Sequence, residues 1–237
     1  MQVNRYLDNP YSFILESSVL EARIIKKKTA MALKENIFYP GGGGQPIDLG
    51  NILINNEVVT VRDVKKMDKK VFILLDKKIE VLEGDKIIQK IDSERRLCFM
   101  KFHSAAHMLM ASVKRNIERY NPEKIEISDD CLECTIFFEG IWDGNKDSLS
   151  KIVNDANTAI NQNLNIFSKD YDDANIPSLE YGDMFRVAGS PTGPVRVLVI
   201  ESWDANPCGG THVSISSEIG NIKPISHSTS SITFTLF

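Results

Sequence analysis

The chain is short of the residues that carry most metal and redox chemistry. Its 237 residues include only four histidines and four cysteines. Cys98, Cys131, Cys134 and Cys208 are too few in a chain of this length to form the disulfide framework of a small secreted domain. Buried thiols or metal ligands are the commoner use of such cysteines. No apolar run approaches the roughly 20 residues needed to span a bilayer. The N-terminus lacks the basic-then-apolar pattern of a signal peptide. These absences predict a cytoplasmic protein with no membrane partner. There is no internal repeat and no low-complexity segment. A strong charge of one sign is missing too: the net charge is −4, so the total alone does not announce a nucleic-acid partner.

What is present is the composition of a soluble globular protein, 42% hydrophobic and 25% charged, enough for one large or two modest domains. The charge is uneven: residues 1–90 are net basic and the remainder net acidic. Two clusters, Lys26–Lys28 and the run Lys65–Lys70, could meet phosphates. A solvated face of strands and turns explains them equally well from charge alone.

Residues 1–91 read as β-rich. "VLEARII" (Val19–Ile25), "GNILINNEVVTVRDV" (Gly50–Val64) and "KVFILLD" (Lys70–Asp76) are β-branched, partly alternating runs, punctuated by Asn55-Asn56 and Gly84-Asp85. A small barrel or sandwich is expected. The period then changes. From Ser93 to about Tyr120 there is no Gly or Pro, and Phe99, Phe102, Ala106, Leu109 and Val113 recur at helical spacing. A second helix is expected from about Lys146 to Phe167, with Leu149, Ile152, Val153, Ala156, Ile160 and Leu164 on one face. Cys131–Gly140, Arg196–Trp203 and Ser231–Phe237 read as strands. The fold class is therefore α+β: a small barrel-like domain over residues 1–91, then an α+β domain over 92–237.

Three of the four histidines fall in two short windows, "HSAAH" (residues 103–107) and "CGGTH" (residues 208–212). His103 and His107 are four apart on an expected helix, one turn apart on one face, where two imidazoles can reach one ion. A zinc protease would have Glu after the first His; here it is Ser104. Cys208 and His212 flank two glycines that suit a tight turn. Together the pairs make a Cys-His₃ set typical of zinc. Cys131-x-x-Cys134 is a weaker competitor, since residues three apart on a strand point to opposite faces. His227 has no partner in sequence. The run Gly41–Gly44 is no Walker loop, because no Gly-Lys-Ser/Thr follows. Such a run suits a close backbone approach to a ligand, although a flexible hairpin tip is the plainer reading of the glycines alone.

"ERRLCFMKFHSAAHML" (Glu94–Leu109) and "NPCGGTHVSISSEIGNIKP" (Asn206–Pro224), with "FYPGGGGQPIDLG" (Phe38–Gly50) before them, closely resemble the editing domain of alanyl-tRNA synthetases. They resemble still more the freestanding AlaX-type editing proteins of the longer, glycine-motif type. No ATP-binding or aminoacylation segment precedes these motifs, which fits a freestanding form. The resemblance implies an ATP-independent deacylase for tRNA(Ala) wrongly charged with serine or glycine. It implies one zinc per chain on His103, His107, Cys208 and His212, an editing domain over 92–237, and substrate contacts from Gly41, Gly42, Gly43, Gly44 and Gln45. The expected tRNA contacts are Lys26, Lys27, Lys28, Arg95 and Arg96; the catalytic base stays unassigned. Two features depart from the family: "SHSTSSITFTLF" carries no Lys or Arg, and Phe102 stands where Gln is frequent.

Editing is needed because a pocket for alanine rejects glycine or serine by only about 1–3 kcal/mol. Zinc could lower the pKa of a bound water, polarise the ester or hold the substrate. Four protein ligands usually close a zinc site, so a catalytic role requires a fifth position or a ligand that moves. Two other readings stand beside this one: a non-catalytic RNA-binding module with structural zinc, and a metal-dependent hydrolase of another ester or amide.

Overall fold

The computed structural model describes residues 1–171 and 194–237. In chain order its elements are β1 (Val3–Asn4), α1 (Arg5–Asp8), β2 (Ile14–Ile25), β3 (Lys28–Leu33), β4 (Glu35–Asn36), β5 (Gly50–Ile54), β6 (Glu57–Met67), β7 (Lys70–Leu75), β8 (Lys86–Ile91), α2 (Ser93–Asn116), β9 (Glu118–Ile127), β10 (Cys134–Ile141), α3 (Lys146–Ile160), β11 (Ile166–Tyr171), β12 (Val195–Ile200), β13 (Asp204–Pro207), β14 (Ile222–His227) and β15 (Ser231–Leu236). The described chain is mostly β with few helices. Its contacts group it into two compact units, Met1–Gly42 with Pro46–Cys98, and Gly43–Gln45 with Phe99–Phe237.

The first unit is a closed barrel of strand order β2-β3-β7-β6-β5-β8. Three of its hairpins turn on two-residue loops with both residues left-handed: Lys26-Lys27, Asn55-Asn56 and Asp68-Lys69. Such turns match the twist of the flanking strands. Val59 and Val61 point inward by simple alternation; a register shift between Val61 and Asp63 then brings Val64 to the same face. With Val19, Met31, Leu33, Ile52, Ile73, Leu75 and Ile87 they fill the barrel, each buried side chain contributing about 1.5–3 kcal/mol. A buried ion pair lies within this unit. Arg96 and Asp48 are fully buried and paired. Arg96 also donates to Pro10 O at 2.8 Å and Ile37 O at 2.7 Å, and Tyr39 N donates to Asp48 at 2.6 Å. With every partner supplied, the pair is held without orphaned charge.

The second unit holds two antiparallel sheets, β14-β15-β10-β9 and β11-β12-β13. The long helix α2 is not the one-sided stripe that its spacing suggested: from Phe99 to Val113 every residue except Lys101 is buried. Phe102, which stands where Gln is frequent, meets Phe234 with ring centroids 6.0 Å apart and belongs to the core. The helix stops at Asn116, short of Tyr120, because Arg119 is left-handed (φ 52°) and the chain turns into β9. α3 is capped by Asn145, whose side chain accepts from Ser148 N at 2.8 Å. It ends at Ile160, not near Phe167: Asn163 is left-handed (φ 55°), and Phe167 lies in β11. Leu164 is therefore off the helix. Glu201–Trp203 form a turn and not the end of a strand. Cys131 sits in a turn at φ 62°, ahead of the strand that begins at Cys134.

Asp204 on β13 is 5% exposed. Burial pushes its carboxyl up to about 6, partly offset by Lys114, the Ala205 N–H, Asn206 and Arg115. Its folded pKa thus lies above the unfolded value of about 3.9, so the fold favours the protonated form. That contribution is complete below about pH 4 and is lost as pH rises through about 6. Asp204→Asn keeps an oxygen for the Asn206 amide and removes the cost of ionisation. The variant should gain about 2 kcal/mol on the wild type between pH 4 and pH 8, read from denaturant midpoints. Parallel pH profiles for the two proteins would contradict this.

Candidate functional site

The described residues bring His103, His107, Cys208 and His212 together, with ligand atoms all within 4.8 Å of one another. Helix α2 supplies the first two, one turn apart. The irregular segment after β13 supplies the others. His103, His107 and His212 are 1%, 2% and 6% exposed. Cys208 Sγ lies 3.2 Å from His212 Nε2 and 3.6 Å from His103 Nε2. The chain between Cys208 and His212 is non-helical, as expected, and neither Gly209 nor Gly210 has a positive φ. Gly210 is required for space instead. A Cβ there would lie 2.2 Å from His103 Cε1.

The glycine run does adopt special backbone. Gly41 to Gly44 have φ of 74°, 127°, 58° and 82°. Tyr39 Oη donates to Gly42 O at 2.9 Å. A side chain on Gly43 would face His103 Cε1 at 3.9 Å, and a Cβ on Gly44 would lie 2.0 Å from Ile125 O. Gly44 O accepts from Ile127 N at 3.0 Å, which straps the loop to β9.

Gln45 was expected to touch substrate. Its amide is instead buried and committed. Oε1 accepts from Thr211 N at 3.0 Å, Nε2 donates to Thr211 Oγ1 at 2.8 Å, and Oε1 lies 3.0 Å from His103 Nδ1. Since the Thr211 N–H must meet an oxygen, the amide orientation is set, and His103 must donate from Nδ1. That leaves the Nε2 lone pair facing the cluster, as a metal ligand requires. Ser104 plays the corresponding part for His212: its Oγ accepts from Val213 N at 3.2 Å and lies 3.2 Å from His212 Nδ1. Sequence reasoning missed Ser104 and Thr211 as supports. The only signal was that both are small polar residues inside the ligand motifs.

The cluster fits a metal ion. Both ring nitrogens of His107 are buried without a hydrogen-bond partner among the described residues, a cost of about 1–3 kcal/mol that coordination would relieve. Desolvation, with the His107 charge second, holds His103 well below the usual imidazole range. Desolvation alone brings His107 to about 4. Desolvation, then the His103, His107 and Arg196 charges, lowers His212. The imidazoles are therefore neutral, the state that binds metal. Burial pushes the Cys208 thiol up to about 11, against the pull of Gly210 N–H and Arg196; a bound cation would reverse that by stabilising the thiolate.

A cavity of about 280 Å³ opens beside the cluster, lined by Gly43, Gly44, Met110, Pro122, Ile125 and Pro207 among others. The remaining expected contacts lie elsewhere. Lys26–Lys28 are exposed at a barrel hairpin. Arg95 is half-buried and donates to Ile47 O at 3.2 Å. Arg96 is corrected: wholly buried and bonded within the barrel unit, it offers no group to a phosphate. His227 lies outside the cluster and meets Gly144 O at 3.0 Å.

Gln45→Ala should weaken metal binding about 10–100-fold, the usual effect of losing a partner behind a ligand, as read by competition with a chromophoric chelator. Gly210→Ala should lose metal more completely, because its methyl meets His103. Metal affinity equal to wild type in both would show that these supports are idle.

The family model for tRNA synthetases class II (A) matches residues 11–95. That for the threonyl and alanyl tRNA synthetase second additional domain matches residues 195–233. The chain is 30% identical over 226 residues to an alanine–tRNA ligase of Aeropyrum pernix, covering 93% of this chain and 24% of the ligase. It is 27% identical over 219 residues to the alanyl-tRNA editing protein AlaX-L of Pyrococcus horikoshii, covering 92% of this chain and 52% of that protein. It thus spans about a quarter to about half the length of these curated relatives. The motifs and these matches agree: the chain belongs with the alanyl-tRNA synthetase-related proteins that include AlaX-L.

Proposed function

We propose that this protein is an aminoacyl-tRNA deacylase that hydrolyses the ester of tRNA(Ala) mischarged with serine, and with glycine as a second substrate. The observation that carries the reading is the Cys-His₃ cluster opening onto a cavity of about 280 Å³, room for an aminoacyl group beside the cluster. Zinc is the ion that suits one thiolate and three neutral imidazoles, held by His103, His107, Cys208 and His212. When bound it would supply Lewis acidity next to the cavity.

The chain's own residues do the rest. Gln45 and Thr211 hold His103 in one tautomer; Ser104 holds His212. Gly43 and Gly44 bring bare backbone to the cavity wall; a side chain on Gly43 would face His103, and one on Gly44 would strike the Ile125 carbonyl. Met110, Pro122, Ile125 and Pro207 make the remaining wall largely apolar and limit the water around the ester. The domain division at residues 91 and 92 and a cytoplasmic location belong to the same proposal.

Purified protein should hydrolyse Ser-tRNA(Ala) and Gly-tRNA(Ala) well ahead of Ala-tRNA(Ala), and a chelator should abolish turnover. Cys208→Ala, checked as folded by circular dichroism, should lose turnover far more than tRNA affinity. Binding without turnover by the wild type would make it a binding module instead. Affinity is assigned to surface cations, Lys26, Lys27 and Lys28 among them. Changing all three to Gln should lower the salt slope of binding by about one unit per lost phosphate contact; an unchanged slope would place the footprint elsewhere.

A further inference from the structure

Glu123 stands at the cavity beside the histidine–cysteine cluster, and the way it gets there is specific. In the β9–β10 ladder Ile125 pairs with Ile136 and Lys124 with Phe137, but Phe138 pairs with Pro122. Glu123 is the extra residue of a β-bulge, opposite no partner. A bulge breaks the alternation of the strand and re-aims a side chain. Ile127 and Pro122 are both buried, five residues apart, which an unbroken strand does not allow on one face. The bulge thus keeps both faces of β9 in place while Glu123 and Lys124 both line the cavity.

The two charges are not equally available. Lys124 Nζ is bound to Glu126 at 2.7 Å and lies 4.5 Å from the centre of the Phe137 ring. Glu123 has no hydrogen bond or ion pair among the described residues, and it is the only carboxylate among those lining the cavity. The rest of the wall is glycine backbone, apolar side chains and the cluster itself. An aminoacyl ester entering this space carries one feature that such a wall leaves unmatched, its α-ammonium group.

Resting on the deacylase reading, we infer that Glu123 is a specificity-determining contact that accepts the substrate's α-ammonium group. It selects aminoacyl esters from neutral acyl esters of the same size and orients the ester relative to the cluster. The contact is at a solvated rim, so its effect is modest, about fivefold, the upper range for an exposed ion pair.

The experiment compares Ser-tRNA(Ala) with its deaminated analogue, in which a hydroxyl replaces the α-ammonium at unchanged size. Wild type and Glu123→Gln are assayed for kcat/KM on both at pH 6, with metal content measured alongside. Wild type should prefer the ammonium substrate about fivefold, and the variant should show a preference near unity at full metal content. Repeating the assay above the α-amine pKa of about 8 should shrink the wild-type preference as the substrate loses its charge. A preference equal in wild type and variant, or absent from wild type, overturns the assignment while leaving the deacylase reading intact. Wild type that hydrolyses neither ester removes both.

Discussion

One buried amide, that of Gln45, ties the candidate site together. It joins a residue of the glycine loop to Thr211, 166 residues away, and to His103, 58 residues away. Each of its polar atoms is used, and the acceptor demanded by the Thr211 N–H settles which end of the amide faces the imidazole. From that follow the His103 tautomer and the direction of its free lone pair. A buried polar network of this kind is costly if broken anywhere and rigid if complete. It explains why a glutamine follows four glycines: the loop must come close, and then be anchored by something that can both donate and accept.

Close approach sets the second constraint. Gly44 abuts the Ile125 carbonyl and Gly210 abuts His103, each with no room for a Cβ. These glycines serve packing before flexibility. The same density drives the electrostatics. Burial keeps three imidazoles neutral and, without a cation, protonates the thiol. The cluster therefore gathers four donors and leaves His107 without a hydrogen-bond partner among the described residues, an arrangement that could hold a metal ion. The cavity beside it inherits a wall of backbone and apolar side chains, interrupted by Lys124 and by one carboxylate, Glu123, that a bulge delivers.

The barrel and the gathering of His103, His107, Cys208 and His212 were legible in the sequence for local reasons. Alternation over Val59 and Val61, and a gap of four between His103 and His107, are statements about strand and helix periods that need no distant partner. The errors share a cause as well. Leu164 extends the apolar period of α3 but lies beyond a left-handed Asn163. Arg96 looks like a surface cation until Asp48 and two carbonyls enclose it. α2 shows one stripe in sequence, yet its other face is also buried because its small and sulfur-containing residues are covered too.

The sequence by itself determined the chemistry: which donors exist, their spacing on the helix and the glycine content around them. Those are properties of neighbours along the chain, governed by backbone geometry within a few residues. The tertiary structure decided how the donors are held and what they face. Gln45 reaches Thr211, Ser104 meets His212 from 108 residues away, and Glu123 is turned to the cavity by its mismatch with β10. Such partnerships depend on which distant segments pack together, and each is set by the need to satisfy a buried polar group or fill a space that no local pattern encodes.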